Sequence, residues 1–284
     1  MAIKDILLPL ISYPHATGTP AIEKCVEIAR YIGARISAVT IEMNVGLSPG
    51  PYTEAFGLNG RVSVETTEHK KSLLNVSQAL KEFEVAASRL EVLHDHKIKV
   101  CSPEDVPTRL AEEARLKDLS LVSIKSHDGA TEKILEALIF ESGRSVLIFP
   151  EELSGDLAAK FDHVSIAWDN SPQAARAVAD ALPLLQSAKT IRVFTATDRG
   201  TAAELESGAA LARHLAEHGV KAIFETAKID GSSVGKVFEA YVKANRIDLL
   251  VMGAYRHSRL HEFIRGGATY TILGRPPCWV MMSH

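Results

Sequence analysis

The sequence predicts an α/β fold: two tandem Rossmann-like domains, each a five-stranded parallel sheet with helices on both faces. Three observations lead there. Short apolar runs alternate with helical periodicities, the pattern of successive βα units. The outline of the first half recurs in the second. The length, 284 residues, exceeds the roughly 100–200 expected of one compact domain.

Ile3–Leu10 corresponds to Phe161–Trp168, each an apolar run followed by a polar turn carrying a proline (Pro14 and Pro172) and then an amphipathic helix. The first half then has a Gly/Pro/Thr-rich insertion, residues 44–67, expected to be a surface loop or lid ahead of a long helix starting near Glu68. Ser102-Pro103 is expected to open a helix, with proline where the missing N–H costs nothing. Leu121–Ile124 corresponds to Leu249–Met252, and Gly143–Phe149 to Gly274–Val280. The polar stretch Glu151–Lys160 holds the boundary, giving domains 1–152 and 153–284. In the second domain, strands are expected at 162–168, 190–197, 220–228, 247–253 and 278–282. The helix after Gly200 has Leu205, Ala209, Ala212, Leu215 and Ala216 at helical spacing; it opens on Thr201-Ala-Ala-Glu204 as a capping box and stops at Gly219.

A composition of 46% hydrophobic and 24% charged residues with a net charge of −3 is that of an ordinary globular chain. It gives no reason to expect nucleic acid as a partner. The first ten residues lack a basic segment followed by an apolar one, and no run approaches the roughly 18 apolar residues of a membrane span. No membrane partner and a cytoplasmic location are the expectation. Cys25, Cys101 and Cys278 are isolated and read as small apolar residues.

In open parallel sheets ligands bind outside the carboxyl ends of the strands, where the strand order reverses. Here that place is formed by Asp169-Asn-Ser-Pro172 and by the basic stretch Gly253–Thr269. Gly253 and Gly266-Gly267 would let backbone approach an anion, a helix beginning near Ala268 would direct free N–H groups at it, and Arg256, His257, Arg259 and Arg265 add positive charge. Asp169 could accept a ribose hydroxyl. Equally, the arginines could be a solvated face and Asp169 a turn or helix-capping residue.

Asp169-Asn-Ser-Pro-Gln-Ala-Ala-Arg-Ala-Val178, taken with Val251-Met-Gly-Ala-Tyr-Arg-His-Ser-Arg-Leu260 and the Gly266-Gly-Ala-Thr269 turn, resembles the universal stress protein family. The layout of both halves makes the chain similar to a tandem member. The resemblance implies the strand order 3-2-1-4-5 and binding of ATP or another adenine nucleotide, with Mg2+, by the second domain, in a stress-response role. It implies no common catalytic reaction. The implied nucleotide-binding residues are Ala167, Trp168, Asp169, Met252, Gly253, Arg256, His257, Arg259, Gly266, Gly267, Ala268 and Thr269. Two depart from the family pattern: Arg256 stands where a second glycine is expected, and Gly267 where a hydroxyl is expected. Arg256 would either replace lost backbone contacts to phosphate or block the pocket; Trp168 would either stack on adenine or fill its place. In the first domain Lys125-Ser-His-Asp128 replaces the glycine-led loop and Ile11 aligns with Asp169, which makes that copy degenerate. The resemblance further implies that the last strands, Ser145–Phe149 and Cys278–Met282, pair with each other; a further homodimer is compatible with it.

Other motifs are weaker. Gly231-Ser-Ser-Val-Gly-Lys236 is too short between its glycines for a P-loop, and Val237 replaces the required hydroxyl. His94 and His96 share one side of a strand without an evident third ligand, and His257 with His261 does not complete H-E-x-x-H, so no metal site is expected. No nucleophile, base and orienting group stand at telling spacings, and no catalytic residue is assigned. Three functions remain: a nucleotide-binding stress protein, a protein-interaction module without nucleotide, and a weak ATP-hydrolysing or adenylyl-transferring enzyme.

Overall fold

The computed structural model describes residues 2–12, 15–43, 59–125, 129–255 and 268–284. In the first half β1 (Asp5–Leu10), β2 (Arg35–Met43), β3 (His94–Cys101), β4 (Leu119–Ile124) and β5 (Ser145–Pro150) alternate with α1 (Thr19–Ile32), α2 (Asn59–Arg89), α3 (Val106–Ala114) and α4 (Gly129–Glu141). The second half repeats the plan. Its strands are β6 (His163–Ala167), β7 (Thr190–Ala196), β8 (Ala222–Ala227), β9 (Leu249–Gly253) and β10 (Trp279–Ser283), and its helices α5 (Pro172–Leu185), α6 (Ala202–Glu217), α7 (Val234–Asn245) and α8 (Ala268–Gly274).

All ten strands belong to one sheet in the order β3-β2-β1-β4-β5-β10-β9-β6-β7-β8, so each half follows 3-2-1-4-5. Pairing within each half is parallel. The halves meet antiparallel, Val280 opposite Ile148, Met281 opposite Leu147 and Met282 opposite Val146. The two most apolar terminal strands thereby cover each other's unpaired edges. The outer edge strand β3 instead carries Lys97 and Lys99, both paired with Glu113 at 3.1 and 2.8 Å, a charged edge that resists further strand addition.

The period-2 alternation of the strands sorts the core into two layers. Ile6, Leu8, Leu147, Phe149, Val164, Ile166 and Trp279 face α1, α2, α5 and α6, whereas Leu7, Val146, Ile148, Leu250, Met252, Val280 and Met282 face α3, α4, α7 and α8. Both layers run unbroken across the β5–β10 seam. Trp279 anchors the first layer: its ring lies 4.3 Å from Phe149 and 5.9 Å from Phe161. Its indole N–H donates to the Ala158 carbonyl at 3.1 Å.

Local signals explain most element ends. Thr201 and Glu204 form the reciprocal capping box of α6, and Gly219 follows its end at φ 76°. Three expectations need correction. Pro172 is not in the turn but in the first turn of α5; in α1 that place belongs to Pro20, while Pro14 lies outside the described residues. Of the insertion 44–67, residues 44–58 lie outside the described residues and 59–67 already belong to α2, which starts at Asn59 rather than near Glu68. Once the later turns of α2 pack, helix extension adds one bond per residue, and the poor propensities of Gly60, Val62 and Thr66 do not stop it. Finally, Ser102-Pro103 opens a 3-10 turn, Pro103–Asp105, ahead of α3. The Ser102 hydroxyl donates to the Asp105 carboxylate at 3.0 Å instead of capping a backbone N–H.

Among the described residues no helix is long and apolar enough to cross a membrane. Cys25 and Cys278 are buried and Cys101 is half-buried; all are free thiols, and burial pushes all three up.

Candidate functional site

β6 and β9 are neighbours although the chain visits β7 and β8 between them, so the strand order reverses at this pair. Their ladder ends at Ile166 opposite Val251. Beyond it the two chains diverge and leave a cleft at their carboxyl ends, the place such sheets use for ligands.

On the β6 side, successive residues go separate ways. Ala167 is buried in the layer facing α7 and α8. Trp168 packs against the opposite layer, and its indole N–H donates to the Ser207 hydroxyl of α6 at 2.9 Å. Its backbone is tied to β7, N–H to the Phe194 carbonyl and carbonyl to the Thr195 hydroxyl, both at 2.9 Å. Asp169 is exposed, followed by Asn170 at φ 62°, a left-handed conformation that asparagine tolerates. One Asp169 oxygen accepts the Ser171 N–H at 3.1 Å. The capping of α5 falls to Ser171, whose hydroxyl accepts the Ala174 N–H at 3.0 Å. This leaves the second Asp169 oxygen facing the cleft.

On the β9 side, Met252 is buried in the core. Gly253 lies against the start of α5, where a Cβ would come within 2.6 Å of the Ala174 nitrogen and 2.7 Å of the Gln173 carbonyl carbon. Close helix–strand packing therefore requires glycine here. Ala254 is fully buried and held at both ends, its N–H on the Ser283 carbonyl at 2.8 Å and its carbonyl on His284 Nδ1 at 2.9 Å. This anchoring sets Tyr255, whose hydroxyl donates to the free Asp169 oxygen at 2.5 Å. Its backbone N–H donates to the Thr269 hydroxyl at 3.3 Å. Burial, and next the Asp169 hydrogen bond, push the Tyr255 phenol up to about 12.

The cleft thus brings together Asp169, Tyr255 and Thr269, with Ala167 and Ala268 beside them on the α7/α8 face. Arg256, His257, Arg259, Arg265, Gly266 and Gly267 lie outside the described residues, as does His261. Both flanks of that basic stretch are described, and the Tyr255–Thr269 hydrogen bond closes them onto each other.

Residues 160–284 match the universal stress protein family model. The second half is a universal stress protein domain. The whole chain is similar in fold to a universal stress protein from Archaeoglobus fulgidus DSM 4304, with a TM-score of 0.65, 15% identity, and 98% of this chain and 97% of that one covered. It is also similar to a functionally unknown protein from Pseudomonas aeruginosa PAO1, with a TM-score of 0.55, 13% identity, and 99% and 92% covered. These identities speak for fold, and the fold is the tandem form of the universal stress protein. No curated protein matches the chain by sequence.

Other sequence motifs of the chain have structural occupations. In Gly231–Lys236, Ser233 caps α7 by accepting the Lys236 N–H at 3.4 Å, and Gly235 is pressed against Thr271. His94 Nδ1 lies 2.8 Å from the Val92 carbonyl, and His96 pairs with Glu84 at 3.0 Å. Among the described residues no group of three or more His, Cys, Asp or Glu converges to hold a metal ion. Tyr255 was not legible as a site residue, because glycines and basic residues dominate the stretch; the signal that could have found it is an aromatic hydroxyl two residues past a strand end.

Proposed function

We propose that the second universal stress protein domain, residues 153–284, binds an adenine nucleotide, ATP with Mg2+ being the reference ligand. The observation that supports this most is the Asp169–Tyr255 pair at the reversal of strand order. Asp169 holds one oxygen toward the cleft and already receives a hydroxyl there, the interaction a ribose would offer. The residues flanking the basic stretch, Tyr255 and Thr269, meet beside that carboxylate, and on this reading the arginines and histidine between them contact the phosphates. α8 is only seven residues long, so side-chain charge rather than the helix end supplies the attraction. Ala167, Ala268 and Thr269 line the same face, and Gly253 serves by letting α5 approach. The first domain, residues 1–152, has no counterpart of Asp169, since buried Ile11 takes its place.

Isothermal titration of the full chain with ATP, with and without Mg2+, tests this. One site per chain that weakens at least tenfold in Asp169→Ala is expected, the size of a lost hydrogen bond to a charged group, about 1.5–3 kcal/mol. No heat at millimolar ATP would leave the second reading, a protein-docking surface, which the hydrogen bond that Tyr255 already makes to Asp169 favours. An ATP-hydrolysing or adenylyl-transferring activity has no positioned base behind it among the described residues, and a phosphate-release assay at background rate would dismiss it. A cytoplasmic location and a homodimer complete the reading; cell fractionation and sedimentation velocity check them.

A further inference from the structure

The equivalent cleft of the first domain already contains an anion, and the chain supplies it. Glu151, the first residue after β5, turns its carboxylate into the gap between β4 and the start of α1. One oxygen accepts the Gly18 N–H, at the N-cap of α1, at 2.9 Å and lies 3.2 Å from the Lys125 ammonium; the other accepts the Ser123 hydroxyl at 2.8 Å. Lys125 also donates to the Ala16 carbonyl. Three donors from two elements thus converge on one carboxylate whose side chain is only 13% exposed. Gly18 is shaped for it: a Cβ there would sit 2.7 Å from the Glu151 oxygen.

A helix start, a lysine and a serine hydroxyl aimed at one point are the elements that hold a phosphoryl group. We propose that Glu151 is an intramolecular stand-in for such a ligand, a latch that keeps a phosphate-accepting cleft of the first domain closed. The inference is independent of nucleotide binding by the second domain, because none of its residues belongs to that cleft. The Glu151 carbonyl accepts the Ser154 N–H at 3.1 Å, so the latch residue also belongs to the turn that leads to β6.

The test compares inorganic phosphate binding to the full-length wild type, Glu151→Ala and Glu151→Ala/Lys125→Ala by isothermal titration, with circular dichroism and melting to confirm the fold. Glu151→Ala should gain one phosphate site, tightened by about tenfold or more over any first-domain binding in the wild type, the inverse of the fraction of time the latch stands open. The double variant should lose the gain. Glu151→Gln keeps the size and one acceptor oxygen while leaving Lys125 charged, so it serves if the alanine variant does not fold, with a smaller gain expected. AMP in a parallel titration separates the sources: an equal gain assigns the cleft to a phosphoryl group alone, a larger one to a nucleotide. A folded Glu151→Ala or Glu151→Gln with unchanged phosphate stoichiometry, or a gain that survives removal of Lys125, overturns the proposal.

Discussion

The Tyr255 hydroxyl donates to the Asp169 carboxylate at 2.5 Å and so joins the segment after β9 to the segment after β6. The two residues are 86 apart in sequence and meet only because the sheet order brings β6 beside β9. A ligand hydroxyl that reaches that Asp169 oxygen competes with the phenol for it.

Tyr255→Phe should therefore bind adenine nucleotide a few-fold more tightly than the wild type, the competing hydrogen bond being worth about 1 kcal/mol net. Titration calorimetry on both proteins measures it. Weaker binding by the phenylalanine variant would mean that the hydroxyl contacts the ligand rather than standing in for it.

The same pair gives a pH dependence. The folded-state phenol is raised to about 12 from roughly 10 in the unfolded chain. A raised value favours the protonated form on folding, so its contribution is complete below the unfolded value and is lost as pH climbs through the folded one. Ultraviolet difference spectroscopy should show a tyrosinate that appears late in the wild type and is absent from Tyr255→Phe, while the Tyr241 phenol, also pushed up by burial and next by its hydrogen bond to Glu225, stays late in both; thermal stability falls between those two values. If the tyrosine missing from the variant is one that ionises near the ordinary value of about 10, the hydrogen bond is contradicted.

Trp168→Phe should leave nucleotide affinity unchanged, because the indole packs toward α6 and bonds Ser207. It should lower stability by about 1 kcal/mol through the lost hydrogen bond. A tenfold loss of affinity would show instead that the ring stacks on the base.

Trp279→Ala should cost about 3–5 kcal/mol, the usual penalty for deleting a fully buried large aromatic side chain. Since that ring packs on Phe149 across the seam and on Phe161 of its own half, urea denaturation should show both halves losing stability together. Two separated transitions, only one of them shifted, would refute a shared core.

Thr201→Ala removes the acceptor for the Glu204 N–H and should cost about 1 kcal/mol. The change should show in the denaturation midpoint and leave ligand binding untouched.

The strands of the second half were legible within one or two residues, because each is a short run rich in apolar residues and bounded by polar turns; β6, β9 and β10 are buried almost throughout, whereas the edge strand β8 has no buried residue. Helix beginnings were harder. In Asn59–Thr67 only Arg61 and Glu65 are strong helix formers, and that segment takes its conformation from the later turns of α2. Asp169 was legible by its place after a first strand, whereas its partner is separated from it by three intervening βα units. Glu151 reads in sequence as ordinary linker charge; only the meeting of β4, α1 and the end of β5 gives its carboxylate an address. Trp168 points away from the cleft because side chains alternate along a strand, and its neighbour Ala167 takes the inward place.

The antiparallel seam between β5 and β10 has a last consequence. Parallel strands in each half point their carboxyl ends the same way, so joining the halves head to tail turns the two clefts toward opposite poles of the sheet. No single small molecule can bridge them, and each half samples its own side of the surrounding solution. The short passage from Pro150 to His163 stays at one pole, which is where the Glu151 latch sits and where β6 begins. Any signal from the first cleft to the second has to cross the full length of the strands through the shared core.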